Sequence, residues 1–299
     1  MPHLSTVERQ QRQTMRLLRH YVEKLPIAST TAKALKNVSP HADQLPDRLE
    51  ALASVDPTLA IRMLYLANHT FHAMPSTGIT IGGLLAHVGA AAIVDGLTEF
   101  DEAPVLSPTQ TEAHELWEHS LQVAAVASHL AICAPRIGLT AAEAYLAGLI
   151  HDAGRFIMLA AAPATYGAIS DKEWRTGDEL LAAESEVCGF NHTVLGWLGC
   201  RTWNFPDSLA AVNRFHHAWT ELDSDAMSKR TKALVRIVGI ADDLAFAWDE
   251  HQGDGVVVEQ ILRSAESYLK KVHGRDTSLG TASALDTVLR RAEAASLSS

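Results

Sequence analysis

The sequence predicts an all-α protein. Three observations carry that reading. Apolar residues recur at three- and four-residue spacing almost throughout. The alternation of apolar and polar residues that marks strands is nearly absent. Helix start and stop residues punctuate the chain.

The elements follow in order. Residues 2–24 read as one polar, amphipathic helix. Pro26 suits the first turn of a helix ending near Val38, because proline lacks the amide hydrogen that a first turn leaves unused. Ser39-Pro40 is a turn, and a helix runs from about Gln44 to Val55. Asp56-Pro57 is a start signal, with aspartate as N-cap and proline next. The helix Thr58–Asn68 puts Leu59, Met63 and Leu66 on one face. Phe71 to Gly78 reads as loop, and short helices fit Ile81–His87 and Ala90–Phe100. Residues 101–110 carry two prolines and little periodicity, so they mark a boundary.

The second half begins with a helix over Glu112–Cys133, then a turn over Pro135 to Leu139. Thr140-x-x-Glu143 is a capping box that opens a helix through His151-Asp152 to about Ala161. Asp178–Cys188 ends at Gly189, a C-cap residue. Asn191 caps His192–Trp203, and Pro206 opens a helix through His217. Ser228–Glu250 is long. Val256–Val272 and Ala284–Ala295 close the chain as amphipathic helices. The expected organisation is an N-terminal helix (1–24), an N-terminal helical lobe (25–110), a second helical bundle (111–250) and C-terminal helices (251–299).

Bulk properties exclude several classes. At 299 residues with 47% hydrophobic content, the chain can bury a full core. No uninterrupted apolar run is long enough for a membrane span, and the N-terminus lacks the pattern of a signal peptide. Cys133, Cys188 and Cys200 have neither disulfide-framework nor thiolate-zinc spacing, which points to the cytoplasm. A net charge of −10 argues against nucleic acid as a partner, since phosphate binding needs a basic face.

One spot stands out. His151-Asp152 lies in the apolar run Ala147–Gly154, and burying such groups unpaired costs several kcal/mol, roughly 2–7 for a neutral polar group and more for a charge. A metal ion is one partner that would offset this cost. Glu115 and His119 share a helix face four residues apart. His151 and Asp152 are neighbours about 100° apart on a helix, as are His216 and His217. His192 opens a helix, and Asp242 falls on an inward face with Val235 and Val238. Mixed imidazole and carboxylate ligands suit Fe, Mn, Zn or Ni. Two such ions would polarise a phosphate and activate water. Taken singly, each residue has an ordinary reading as surface, cap or core; the joint pattern is what points to metal.

These residues resemble a known superfamily. His119, His151-Asp152 and Asp242 resemble the H…HD…D signature of HD-domain metal phosphohydrolases. The closer resemblance is to the HDOD family, the HD-related output domains of bacterial signalling proteins. It is carried by Leu25-Pro26, Val55-Asp-Pro-Thr-Leu-Ala60, Ile61–Asn68, Ile79–Gly89, Leu116–Ser120, Ala147–Gly154, Glu186-x5-His192-x3-Gly196, Trp203-x2-Pro206 and His216-His217, over roughly residues 20–250. The resemblance implies an N-terminal helical lobe fused to an HD-like bundle, and a regulatory role without demonstrated hydrolysis. The chain also matches every ligand position of the related HD-GYP phosphodiesterases: Glu115, His119, His151, Asp152, His192, His216, His217 and Asp242. That implies a di- or trinuclear metal site.

Two departures bear on catalysis. Arg155 stands where HD-GYP proteins have lysine, and His217 is followed by Ala-Trp-Thr-Glu-Leu instead of a G-Y-P loop. The first expectation is therefore a cytoplasmic module that relays a signal by binding a protein or a nucleotide second messenger; a homo-oligomer is compatible with the sequence. The alternative is a metal-dependent phosphohydrolase of cyclic dinucleotides or nucleotides, with Asp152 among the ligands and Arg155 steadying the phosphate.

Overall fold

Leu25 is fully buried, and its carbonyl oxygen accepts from the guanidinium of Arg62, itself fully buried. That contact fixes where the chain enters the N-terminal lobe. The structure is a computed structural model that describes residues 25, 27–37, 39, 42–71, 78–98, 105–106, 111–170, 172, 174–222, 226–251, 253–274 and 276–296. The helix expected over 2–24 lies outside the described residues.

The N-terminal lobe contains β1 (Ile27–Ala28), α1 (Ser29–Lys36), α2 (Leu45–Val55), α3 (Pro57–Phe71), α4 (Ile81–Val88), α5 (Ala90–Thr98) and β2 (Val105–Leu106). Asp56 caps α3 as its sequence signal predicts. Its Oδ1 accepts from the amides of Thr58 (3.1 Å) and Leu59 (3.0 Å). Its Oδ2 accepts from the Ala28 amide at 3.1 Å, which ties β1 to the start of α3. Two expectations are corrected here. The first helix opens at Ser29, not Pro26, because Ile27 and Ala28 pair in parallel with Val105 and Leu106. The segment expected to be an aperiodic boundary therefore carries a strand. A two-residue pairing between distant segments leaves no periodicity to read.

The second lobe contains α6 (Thr111–Cys133), α7 (Ala141–Leu149), α8 (Ala153–Ala161), α9 (Pro163–Ser170), α10 (Gly177–Cys188), α11 (His192–Thr202), α12 (Asp207–Phe215), α13 (Lys229–Glu250), α14 (Gly255–His273) and α15 (Ala282–Ser296). Short 3-10 turns lie at Pro135–Ile137 and His216–Ala218. Helix α6 is the spine, packed by α7, α13 and α15. Its Val123, Ala124, Val126 and Ala127 are fully buried. The C-terminal helices share this core through Leu262, Leu285 and Leu289. The lobes meet where α3 touches α6 and α8, and where the Tyr145 hydroxyl donates to the Ser54 carbonyl at 2.8 Å.

Three local readings differ from expectation. The helix predicted through His151-Asp152 breaks there, into α7 and α8. The Gly148 carbonyl, which a continuous helix would give to the Asp152 amide, instead accepts from His151 Nδ1 at 2.7 Å. The ring thus competes for a backbone acceptor and ends the helix. The capping box is only half made. Thr140 Oγ1 accepts from the Glu143 amide at 3.1 Å, but the Glu143 carboxylate turns away to the Gly78 amide (3.0 Å) and to Arg230. Helix α9, weakly amphipathic and opened by Pro163, was not anticipated. The cap at Asn191, and Gly189 at φ +77° after α10, sit where predicted, and Ser228 caps α13 by accepting from the Thr231 amide.

No single helix among the described residues is long and apolar enough to cross a membrane. The α4–α5 pair reaches the length only with a 92° bend.

Candidate metal centre

Five segments bring seven histidine and aspartate side chains to one point. His119 comes from α6, His151 and Asp152 from the α7–α8 turn, and His192 from the first residue of α11. His216 and His217 come from the 3-10 turn after α12, and Asp242 from α13. The crossing of α8 and α11 sets the closest approach, because a Cβ at Gly154 would lie 2.0 Å from the His192 carbonyl oxygen. Only glycine allows it.

Asp152 sits in the middle. Its Oδ1 is 3.2 Å from His192 Nε2 and 3.7 Å from His216 Nε2. Its Oδ2 is 3.6 Å from His151 Nε2 and accepts from Arg155 at 3.1 Å. Asp242 serves the other side, with Oδ1 at 3.0 Å from His119 Nε2 and 3.6 Å from His151 Nε2. Its Oδ2 lies 3.3 Å from His217 Nδ1. His192 Nε2 and His216 Nε2 are 3.3 Å apart.

Three rings are held from behind. His151 Nδ1 faces the Gly148 carbonyl (2.7 Å), His216 Nδ1 the Val212 carbonyl (3.1 Å), and His192 Nδ1 the Glu184 carboxylate (2.7 Å). Each acceptor assigns the ring proton to Nδ1 and leaves the Nε2 lone pair facing inward. Metal-ligating histidines have this arrangement, because an outer acceptor fixes the tautomer and raises ligand basicity.

The inner atoms lack partners to match. His151 Nε2, Asp152 Oδ1 and His217 Nε2 are buried without a hydrogen bond. An orphaned buried polar atom is costly. Burial would raise the Asp152 carboxyl, but His151, His192, Arg155 and His216 together hold it well below the usual carboxylate range. Asp242 behaves alike, with His119 and His151 outweighing its burial. Burial, then His217, pushes His216 far down; burial pushes His217 down to about 4. Asp152 and Asp242 held ionised, and His216 and His217 held neutral, are protonation states that metal binding requires, whereas Asp152 and Asp242 raise His151 against its burial. Three overlapping groups place one donor atom per residue within 4.8 Å of one another: His119/His151/Asp242, His192/His216/His217, and His151/Asp152/His216. The donor set fits metal.

Of the eight ligands expected from sequence, seven converge. Glu115 lines the same cavity from an exposed position one turn before His119, outside the three donor groups. Arg155, expected to steady a phosphate, lies largely shielded beside the site, clamped to Asp152 with its guanidinium 5.9 Å from the Tyr166 and Trp174 rings. Glu184 was missed. The sequence pattern pointed to Glu186, but that side chain is exposed and paired to Lys172 at 2.9 Å. Glu184 lies fully buried under His192. Two glutamates in one helix cannot be ranked from sequence without knowing which face is inward.

The centre lines part of a cavity of about 760 Å³, to which His119, Asp152, His217 and Asp242 contribute. The rest of its lining is mixed: acidic Glu112, Glu118, Asp249, Glu250 and Glu293, basic Arg155 and Arg175, and apolar or aromatic Trp174, Leu180, Phe246, Trp248 and Ile261. Burial, then the charge of Asp249, raises the Glu118 carboxyl. Asp243, pushed up to about 7 by burial and by Asp242, accepts from Trp219 Nε1 at 2.9 Å.

The HDOD domain family model matches residues 25–219, about two thirds of the chain. The chain belongs to the HDOD family. The MmoQ response regulator of Methylococcus capsulatus has a similar fold, with a TM-score of 0.63, 23% identity, and 81% of this chain covering 92% of that one. A virulence factor of Campylobacter jejuni superposes with a TM-score of 0.62 at 16% identity, over 89% and 94% of the two chains. An uncharacterized protein of Treponema pallidum is 25% identical over 174 residues, 58% of this chain and 34% of its own length. The chain thus spans about a third of that relative. The HDOD helical fold, with a buried His/Asp cluster able to hold a metal ion, agrees with the architecture expected from sequence.

Proposed function

We propose that this HDOD chain is a bacterial signal-transduction module that holds a metal centre and acts by binding a protein partner. The observation that carries the reading is a donor cluster prepared from behind, lining a cavity in which acidic side chains outnumber basic ones. His119, His151, Asp152, His192, His216, His217 and Asp242 would hold two ions of Fe, Mn, Zn or Ni, the metals that mixed imidazole and carboxylate donors suit. Such ions would supply Lewis-acid stabilisation of negative charge. That acidic excess would repel a free polyanion such as a cyclic dinucleotide. Arg155, the side chain that would steady a phosphate, is already committed to Asp152. Both features favour a structural or sensory metal over turnover. The response-regulator name of the MmoQ relative agrees with a signalling role. The setting we propose is the cytoplasm, where Cys133, Cys188 and Cys200 remain free thiols.

A second reading has one observation in its favour: the cavity reaches Asp152, His217 and Asp242 directly, as a phosphohydrolase would need. Metal analysis of the purified chain, followed by assays on cyclic dinucleotides and nucleotide phosphodiesters with added Mn or Fe, separates the two. Bound metal without turnover is expected. Turnover that vanishes in Asp152→Asn would establish the enzyme instead.

A further inference from the structure

The two halves of the ligand cluster are chemically unequal. One half, His119, His151 and Asp242, brings its own carboxylate. The other, His192, His216 and His217, brings three imidazoles and no charge. Asp152 stands between the halves, and its Oδ1, the oxygen nearer the imidazole half, has no hydrogen bond. A dication in the imidazole half has that shared carboxylate to balance it from the front, and Asp242 only through its contact with His217 Nδ1 at 3.3 Å.

Glu184 supplies a second negative charge from behind. It is fully buried. Its Oε2 accepts twice from the same residue, from the His192 amide at 2.8 Å and from His192 Nδ1 at 2.7 Å. The other oxygen, Oε1, is buried and has no hydrogen bond. Arg155, a cation that feels the Glu184 charge, is already engaged by Asp152. Helix capping alone does not account for a buried carboxylate here. Asn191 Oδ1 already caps α11 at the Val194 amide (3.2 Å), and a buried carboxylate with one oxygen unsatisfied is costly.

We infer that Glu184 is the positioning residue of the imidazole half: it fixes His192 with Nε2 toward the cluster, and it makes three neutral rings able to hold a dication. This rests on the metal reading above and extends it. The centre then fills unequally. The carboxylate half, with Asp242, holds its ion without help from Glu184. The imidazole half depends on Glu184, and its three imidazoles, with only the shared Asp152 as oxygen donor, favour Zn or Ni over Mn.

The test uses the full chain, stripped with a chelator and titrated with Zn(II) or Co(II), with bound metal counted by elemental analysis and Co(II) absorption. Wild type is expected to take two ions. Glu184→Gln keeps the hydrogen-bond acceptor and removes the charge. It should hold the first ion as wild type does and bind the second roughly 10–100-fold more weakly. Glu184→Asp restores the charge and should recover part of that loss, which a purely structural role would not do. Glu184→Gln loading both ions as tightly as wild type would overturn the role of Glu184 alone. Wild type binding none would overturn the metal reading, and this inference with it. If Glu184→Gln does not fold, nitrogen-15 shifts of the wild-type imidazoles decide. Protonated Nδ1 and bare Nε2 at His192 are expected in the metal-free chain, and the opposite tautomer overturns the inference.

Discussion

Gly154 and His192 are in backbone contact across the α8–α11 crossing. A Cβ on Gly154 would stand 2.0 Å from the His192 carbonyl oxygen and 2.8 Å from the Gly196 amide nitrogen. Both neighbours are main chain, so no rotamer change relieves the overlap. Gly154→Ala should push α11 away from α8 and carry His192 off Asp152. The expected cost is about 3 kcal/mol, the upper end for overpacking. Chemical denaturation reads it as a lowered midpoint, and metal binding should weaken in parallel. Wild-type stability in this variant would mean that the crossing is looser than described.

Asp152 contacts both halves of the cluster. Asp152→Asn keeps the shape and one acceptor oxygen but removes the charge that faces His151, His192, Arg155 and His216. Bound metal should fall from two ions to one or none, with the helical circular dichroism signal retained. Retention of both ions would remove Asp152 from the ligand set.

Glu143 is buried and bridges the lobes, accepting from the Gly78 amide and pairing with Arg230. Arg230→Ala would leave that carboxylate with a single donor. Breaking a buried pair costs about 3–5 kcal/mol; Arg230 is about a third exposed, so roughly 2 kcal/mol is expected. Glu143→Gln combined with Arg230→Ala should recover part of the loss, because the uncompensated charge is gone. Thermal melting of the three variants measures this.

Tyr145 predicts an alkaline limit. Burial pushes its hydroxyl from an ordinary 10 up to about 12, and it donates to the Ser54 carbonyl across the lobes. Because the folded value is the higher one, the folded state binds the proton more tightly than the unfolded chain does. Its contribution is therefore complete below pH 10 and is lost as pH rises from about 10 through about 12. Tyr145→Phe should lack this component. Its melting temperature should lie below wild type at pH 8 and converge with it at high pH. A constant gap across that range would contradict the assignment.

The sequence reveals most of the helices, because apolar periodicity and cap residues are local signals, and residue type and spacing single out the seven side chains that converge. Asp56, Asn191 and Gly189 act where their chemistry places them. Long-range competition is what local patterns miss. His151 takes the Gly148 carbonyl and breaks a helix that periodicity would continue, and Glu143 abandons its capping box for Gly78 and Arg230. The β1–β2 pair joins two short segments far apart in the chain. Glu184 and Glu186 are equivalent in sequence until the fold buries one of them. The acidic side chains of the cavity come from α6, α13 and α15, so no stretch of sequence displays them together.

The central claim is that the His/Asp cluster is a two-ion metal centre. Anomalous diffraction from crystals of the full chain, grown with Zn(II) or Mn(II), tests it most directly. The account predicts two peaks, one among His119, His151 and Asp242 and one among His192, His216 and His217, with Asp152 between them. Crystals grown with saturating metal that show no anomalous peak at this cluster would contradict it.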